Sequence, residues 1–168
     1  MKLAVIIPVY NAENTIRKAV KSIDTTHDVE IICINDGSTD RTKQVLTELQ
    51  KEVKHLIVYH QDNQGAAKSR NMGLSAMSDD IDAFMFLDAD DQFLPGKMDQ
   101  MIQYYEKNEH LDIVIGQIGR GLNGDWKVIP THEDIHREAM VSLAEAPEIL
   151  QSIGPGGKLF KAKFNTLR

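Results

Sequence analysis

Three aspartates occur within four positions of the sequence, directly after an apolar run. Asp88, Asp90 and Asp91 follow the stretch 83–87, AFMFL. Like charges this close repel one another unless a cation neutralises them. An all-oxygen set favours a hard ion such as Mg²⁺ or Mn²⁺, which usually also holds substrate phosphates. The segment therefore predicts a divalent-cation site, and a solvated acidic turn is its plainer alternative.

A second polar group is the segment 35–40, which reads NDGSTD. Taken alone, it is typical of a turn followed by a helix cap. At the end of a strand, however, Asp36 would point toward the same crevice as Asp88. A buried carboxylate in that place can accept the N–H of a uracil ring, because a ring donor needs an acceptor once it is buried.

A third group is the segment 63–71, NQGAAKSRN. Its small residues let a helix begin close to a sheet, and the N-terminus of a helix favours anions. Lys68 and Arg70 add positive charge suited to a diphosphate. A solvated helix face is the alternative, and it is stronger for Lys68 than for Arg70.

One further pattern, HEDIH at 132–136, matches the H-E-x-x-H helix of zinc peptidases through His132, Glu133 and His136. Asp134 and Arg137 are typical of a polar surface helix rather than a buried one, and no well-placed third ligand follows beyond Glu145 or Glu148. A zinc peptidase is kept as a remote alternative.

The elements that must position these groups alternate along the chain. Continuous apolar runs predict buried strands, and apolar spacings of three and four predict helices between them. The strands are predicted at 3–7, 31–34, 56–59 and 83–87. This order is typical of an α/β fold with a Rossmann-like, mostly parallel sheet flanked by helices, in which ligands bind outside the carboxyl ends of the strands. The loops that leave those ends are polar: 8–13, 35–40, 61–65 and 88–91.

Beyond residue 95 the pattern is looser. We expect a helix around 98–105, short strands at 113–115 and 126–129, and a helix at 142–153. The glycines at 119, 121 and 124 are expected to interrupt the stretch between the two strands.

The composition excludes several classes of protein. A length of 168 residues fits one domain. The net charge of −6 and the aromatic content of 6% argue against a nucleic-acid partner, which needs clustered Lys and Arg or stacking platforms. The single cysteine, Cys33, excludes a disulfide framework and fits a reducing compartment.

The sequence contains no run near the roughly 18 apolar residues of a membrane span. The N-terminal apolar run is broken by Pro8 and has no signal-peptide cleavage site after it. We therefore expect no transmembrane segment, no signal peptide and a cytoplasmic location. Peripheral attachment at the inner face of a membrane is left open for a full-length protein.

Four motifs in order, IIPVYNAENTI, INDGSTDRT, NQGAAKSRNMGL and FLDADDQFLPG, resemble the N-terminal part of an inverting family 2 glycosyltransferase with a GT-A fold. The resemblance covers 2–94 strongly and GGKLFK at 156–161 more weakly. It implies that 1–168 is one such domain, truncated at its C-terminus. Residues 1–94 would form the nucleotide-sugar-binding half, and 95–168 would begin the acceptor-side half.

The resemblance also implies roles for eight residues in binding the sugar donor. Pro8, Tyr10 and Asp36 would line the uridine pocket; Asn63 and Arg70 would lie against the ribose and diphosphate; Asp88, Ala89 and Asp90 would form the DxD element. Asp88 would face the ribose or sugar, and Asp90 would bind the metal. Both aspartates belong to the expected metal site. The implied cofactor is Mg²⁺ or Mn²⁺.

The implied reaction is transfer of a sugar from a nucleoside-diphosphate sugar, most simply a UDP-sugar, to a hydroxyl of a carbohydrate or lipid-linked acceptor, with inversion. Cell-envelope polysaccharide or glycoconjugate synthesis is the implied setting. The general base in such enzymes is an acid some distance after the Gly-Lys-Leu-Phe segment, so we expect it beyond Arg168 and assign no catalytic residue. A nucleotide-sugar-binding module without catalysis is the alternative.

Overall fold

The computed structural model describes residues 1–108, 110–122, 125–128 and 156–162. Within these ranges strands and helices alternate as the apolar pattern predicts. In chain order they are β1 (Lys2–Val9), α1 (Ile16–Lys21), β2 (Asp28–Asp36), α2 (Thr42–Glu52), β3 (Leu56–Gln61), α3 (Ala66–Ala76), β4 (Ala83–Phe86), α4 (Lys97–Lys107), β5 (Ile113–Ile115), β6 (Gly119–Leu122), β7 (Asp125–Val128) and β8 (Lys158–Lys161).

Six of these strands form one sheet in the order β3-β2-β1-β4-β8-β5, and β6 pairs with β7 in a separate antiparallel ribbon. The first four strands of the chain run parallel, whereas β8 is antiparallel to both β4 and β5. The predicted α/β fold with a mostly parallel sheet is therefore confirmed. Because Val9 pairs with Asn35 and Asn35 pairs with His60, the carboxyl ends of β1, β2 and β3 lie side by side.

The sheet is covered on both faces, which explains why its strands read as continuous apolar runs. Leu3, Val5 and Ile7 of β1 belong to the core shared with α1, α2 and α4. The alternate residues, Ala4 and Ile6, belong to the core on the face of α3. Since successive side chains of a strand point to opposite faces, a strand between two helix layers needs apolar residues at every position.

One glycine sets the distance between α3 and the sheet. A Cβ added at Gly73 would lie 2.3 Å from Cγ2 of Ile6, so only glycine lets the helix approach β1 this closely. Gly73 is buried, as is Ser69 one turn earlier in the helix. This contact holds α3 close against β1.

Several predicted boundaries need correction. The segment 35–40 was predicted as a loop, but Asn35 and Asp36 end β2 because both pair with β3. Gly119 and Gly121 were expected to interrupt the chain, but they form β6, where they pair with β7. The strand β8 was not predicted, because its apolar core of Leu159 and Phe160 is too short to stand out between lysines.

Two predictions fall outside the described residues: the helix at 142–153 and the histidine pair of the zinc-peptidase alternative, His132 and His136. The expected helix at 98–105 and the strand at 113–115 are confirmed as α4 and β5. Among the described ranges, no helix combines the length and apolar character that crossing a membrane would require.

Candidate functional site

A cleft of about 430 Å³ opens at the carboxyl ends of β1, β2 and β4, beside the first turns of α3. It is lined by Pro8, Val9, Tyr10, Asn11, Ala12, Thr15, Asp36, Ala66, Ser69, Arg70, Asp88, Ala89 and Asp90. Of the eight residues expected to bind a sugar donor, all but Asn63 line this cleft. Residues far apart in sequence meet here because parallel strands end at the same edge of the sheet.

One wall of the cleft consists of the loops after β1 and β2, which are joined by hydrogen bonds. The backbone N–H of Asn11 donates to Oγ of Ser38 at 3.0 Å. The side-chain Oδ1 of Asn11 accepts from the N–H of Thr39 at 2.8 Å and from its Oγ1 at 3.3 Å. Asn11 has φ of +47°, a left-handed conformation that is uncommon outside glycine.

Asp40 strengthens the same connection. Its carboxylate accepts from the N–H of Glu13 at 3.2 Å and from the N–H of Thr42 at 3.0 Å, while Oγ1 of Thr42 accepts from the N–H of Ala12 at 2.8 Å. Burial opposes the charge on Asp40, but its hydrogen bonds with Thr42 and Glu13 outweigh burial and lower its pKa. The two loops therefore form one rigid wall.

The carboxylate of Asp36 lies on the floor of the cleft, 3% exposed. Its Oδ1 accepts from Nε2 of Gln61 at 2.6 Å and from the N–H of Gln64 at 2.8 Å, and its Oδ2 accepts from the N–H of Gly65 at 2.8 Å. Burial raises its pKa, but these hydrogen bonds and one from Ser69 more than offset that effect, so the pKa lies below its usual value.

Asn63 is the predicted residue that the structure keeps out of the cleft. Its side chain is exposed, and its Nδ2 donates to the backbone oxygen of Asp36 at 3.0 Å. The backbone of Asn63 also packs on Gly37, which has φ of +69° and where an added Cβ would lie 2.7 Å from the nitrogen of Asn63. Asn63 therefore connects the loop before α3 to the end of β2.

Arg70 also lines the cleft. Its Nη2 donates to Oδ1 of Asp88 at 2.5 Å, and its guanidinium lies over the ring of Phe86 at 5.9 Å. Its Nε is buried without a hydrogen-bond partner within the described part of the chain. The ion pair and the aromatic ring together fix the position of this cation, while the side chain stays 22% exposed toward the cleft.

The acidic segment after β4 forms a turn in which the N–H of Asp91 donates to the backbone oxygen of Asp88 at 3.0 Å. Partial desolvation and the charges of Asp90 and Asp88 raise the pKa of Asp91. Desolvation is the larger cause and repulsion the smaller, and a nearby cation would favour the charged form of Asp91.

The described residues contain no group of three or more His, Cys, Asp or Glu side chains arranged to hold a metal. Asp88 and Asp90 both line the cleft, so a hard cation fits there if phosphate and water oxygens complete its ligand set. Asp90 is the exposed member of the pair, whereas Oδ1 of Asp88 is already bonded to Arg70.

Sequence reasoning missed two residues that shape the cleft. Gln61 donates from Nε2 to both Asp36 and Oγ of Ser69, and Ser69 is fully buried at the cleft. The pairing of β2 with β3 would have predicted the role of Gln61, because it places Gln61 directly beside Asp36. That register cannot be read from one strand at a time.

Comparison with known families decides the classification. The model of the family described as Glycosyl transferase family 2 matches residues 4–163. The chain belongs to glycosyltransferase family 2. The resemblance noted in the sequence is confirmed, and the match includes all four motifs as well as the segment 156–161.

The family 2 chain has curated relatives in several bacteria. It is 38% identical to TagX of Staphylococcus aureus over 172 residues, which cover 100% of this chain and 49% of TagX. It is 38% identical to GlyA of Streptococcus pneumoniae over 120 residues, which cover 68% of this chain and 16% of GlyA. Both relatives are named as glycosyltransferases. The chain spans about half the length of the TagX proteins it matches.

Solved structures with the same fold include TarS of S. aureus. The TarS fragment 1–349 in complex with UDP-GlcNAc superposes with a TM-score of 0.81 at 24% identity, covering 99% of this chain and 48% of the fragment. The mannosyltransferase PcManGT of Pyrobaculum calidifontis, in complex with GDP-Man and Mn²⁺, gives 0.60 at 17% identity, covering 70% of this chain and 35% of PcManGT. The family 2 chain thus has the predicted GT-A fold.

Proposed function

We propose that this chain binds a UDP-sugar in the cleft and forms the donor-binding part of an inverting glycosyltransferase. The acceptor in this proposal is a hydroxyl of a carbohydrate or lipid-linked molecule, and the setting is cytoplasmic synthesis of cell-envelope polysaccharide or glycoconjugate. The observation that carries the proposal is the convergence of Asp36, Arg70, Asp88 and Asp90 on one cleft at the carboxyl ends of the strands.

The nucleoside end of the cleft has the chemistry to hold a uracil. Asp36 lines the cleft, and its carboxylate is a hydrogen-bond acceptor of the kind that the N–H of a uracil ring requires. Tyr10, which is 53% exposed at the cleft, offers a flat ring on which a base can stack. TarS was solved with UDP and PcManGT with GDP-Man, so proteins of this fold bind different bases. The proposal of uracil for this chain is supported by Asp36 and by the family match.

The diphosphate end combines the guanidinium of Arg70 with the first turn of α3, where Ala66 lines the cleft. Asp88 and Asp90 would hold Mg²⁺ or Mn²⁺ against the phosphate oxygens. When bound, such an ion stabilises the negative charge that develops on the leaving diphosphate. Arg70 would contact the same diphosphate while keeping Asp88 in place.

Transfer with inversion also needs a carboxylate that removes the proton of the acceptor hydroxyl. We assign this role to no residue of the chain and keep the prediction that the base lies beyond Arg168. A chain without a base would bind the donor and transfer nothing, so the binding-module alternative predicts affinity without turnover.

A nucleotide panel tests this function. We expect UDP and UDP-GlcNAc, measured by thermal shift with and without Mn²⁺, to raise the melting temperature more than GDP or CDP at equal concentration, because a ligand stabilises the state that it binds. Equal shifts from UDP, GDP and CDP would contradict uracil recognition. No shift from any of them would refute the donor site altogether. Hydrolysis of UDP-GlcNAc by the chain would favour the enzyme over the binding module.

A further inference from the structure

Tyr10 is poorly fixed by packing, although it lines the cleft. It is the first residue after β1, and 53% of its surface is exposed. A ring with so much free surface takes its direction chiefly from the backbone on either side of it. On one side, Val9 is held in the sheet by pairing with Asn35. On the other side is Asn11.

Asn11 is held in a conformation that most residues avoid. Its φ of +47° costs free energy for any residue with a Cβ, and such strain persists only where the surroundings impose it. The hydrogen bonds from its N–H to Ser38 and from Thr39 to its Oδ1 supply that constraint. Asparagine suits the position because it tolerates the left-handed region and its side chain can accept hydrogen bonds from a neighbouring loop.

The residues that hold Asn11 also follow Asp36. Ser38 and Thr39 come two and three positions after Asp36, in the loop that begins where β2 ends. The connection through Asn11 therefore fixes the direction of the chain at Tyr10 relative to the end of β2. In the proposed site these two residues hold the same base, Tyr10 by its ring and Asp36 by its carboxylate.

We propose that Asn11 is a positioning residue that aims Tyr10 at the nucleoside base through its left-handed backbone and its hydrogen bonds to Ser38 and Thr39. This inference rests on the UDP site proposed above. Asn11 acts through Tyr10 rather than on the ligand, so its effect must disappear when the ring of Tyr10 is absent.

Three single variants separate this role from general loop stability. Asn11→Gly tolerates the same φ but lacks Oδ1, and Ser38→Ala removes the oxygen that accepts the N–H of Asn11. Asn14→Ala is the matched control, because Asn14 is exposed in the same loop and does not line the cleft. We expect calorimetry to show that Asn11→Gly and Ser38→Ala each weaken UDP binding by about fivefold, which is about the net contribution of a single hydrogen bond. Asn14→Ala should leave the affinity unchanged.

The deciding measurement is a double-mutant cycle with Tyr10→Ala. We expect Asn11→Gly to change the UDP affinity of the Tyr10→Ala protein by less than about twofold, because the ring that it positions is gone. A full fivefold loss in that background would overturn the inference, since Asn11 would then act on the loop or the ligand directly.

Two further outcomes are equally clear. If Tyr10→Ala weakens UDP binding but neither Asn11→Gly nor Ser38→Ala does, Asn11 does not position the ring and the inference fails while the UDP site stands. If the parent chain binds no UDP, the proposed function itself fails. Should Asn11→Gly lower the melting temperature too far for calorimetry, Ser38→Ala carries the same cycle.

Discussion

Arg70 and Asp88 form an ion pair in the cleft, and this pairing decides which groups stay available for a ligand. The 2.5 Å ion pair fixes both side chains before any ligand arrives. A planar guanidinium can bond one carboxylate and still present donors to a phosphate, which a lysine ammonium cannot do with the same geometry. Since one oxygen of Asp88 is engaged in this way, the exposed carboxylate of Asp90 is the better candidate for direct metal binding.

The variant Asp90→Ala tests whether Asp90 binds the metal directly. We expect the parent chain to bind UDP about tenfold more tightly with Mn²⁺ than with EDTA, in line with one or two charge-assisted contacts, and the variant to show the same affinity in both. The measurement is titration calorimetry of UDP. Asp91→Asn is the matched control, because it removes a neighbouring acid that does not line the cleft and should keep the Mn²⁺ dependence. Persistent Mn²⁺ dependence in Asp90→Ala would assign the metal to other ligands.

At the scale of elements, the sequence predicted those strands whose pattern stands out locally. The runs at 31–34 and 56–59 are confirmed, although β2 and β3 extend to Asp36 and Gln61. Those polar residues continue their strands because a neighbouring strand pairs with them, and such pairing is not visible in a local pattern. For the same reason β8 was missed: its four residues form a strand only between β4 and β5.

The close contact of α3 with β1 matters for the cleft, because α3 also carries Arg70, which lines it. We expect Gly73→Ala to destabilise the chain by about 1–3 kcal/mol in urea denaturation, the usual cost of overpacking, because the added Cβ would lie 2.3 Å from Ile6. Moving α3 outward also displaces Arg70, so UDP binding should weaken as well.

The control for the α3 contact is Asn71→Ala. Asn71 is exposed on the same helix, so this substitution should leave stability unchanged or slightly raised, since alanine favours helix. If Gly73→Ala were as stable as the parent, α3 would not be held by close contact with β1.

For the molecule as a whole, the convergence of the predicted residues on one cleft could be read from the sequence, and the hydrogen bonds within that cleft could not. Alternating strands and helices place four polar loops at one edge of a sheet, which is why seven of the eight predicted residues line the cleft. Asn63 does not line the cleft, because the side chain of a loop residue can point in more than one direction. Here its amide donates a hydrogen bond to the backbone oxygen of Asp36. The role of Gln61 depends on strand register, which a motif does not contain.

Asp36 couples the site to the stability of the whole fold, and the coupling has a definite sign. Its folded-state pKa lies below the unfolded value of about 3.9. Ionised Asp36 therefore contributes stability that is fully present above that pH and is lost as the pH falls through the folded pKa. Asp91 acts in the opposite direction, since desolvation and the charges of Asp90 and Asp88 raise its pKa and protonation relieves both effects. The pH profile of the parent alone thus mixes both effects.

Asp36→Asn isolates the contribution of Asp36. The amide nitrogen cannot accept the hydrogen bonds from Gln61, Gln64 and Gly65 as the carboxylate does, so we expect a loss of about 1–3 kcal/mol at pH 7. The difference from the parent should shrink as the pH falls below about 3.9, because the ionised carboxylate is lost as the pH falls through its folded pKa. Chemical denaturation across this range measures the difference, with Asp79→Asn as an exposed control outside the cleft. A difference that stayed constant with pH would mean that the charge on Asp36 does not hold the start of α3.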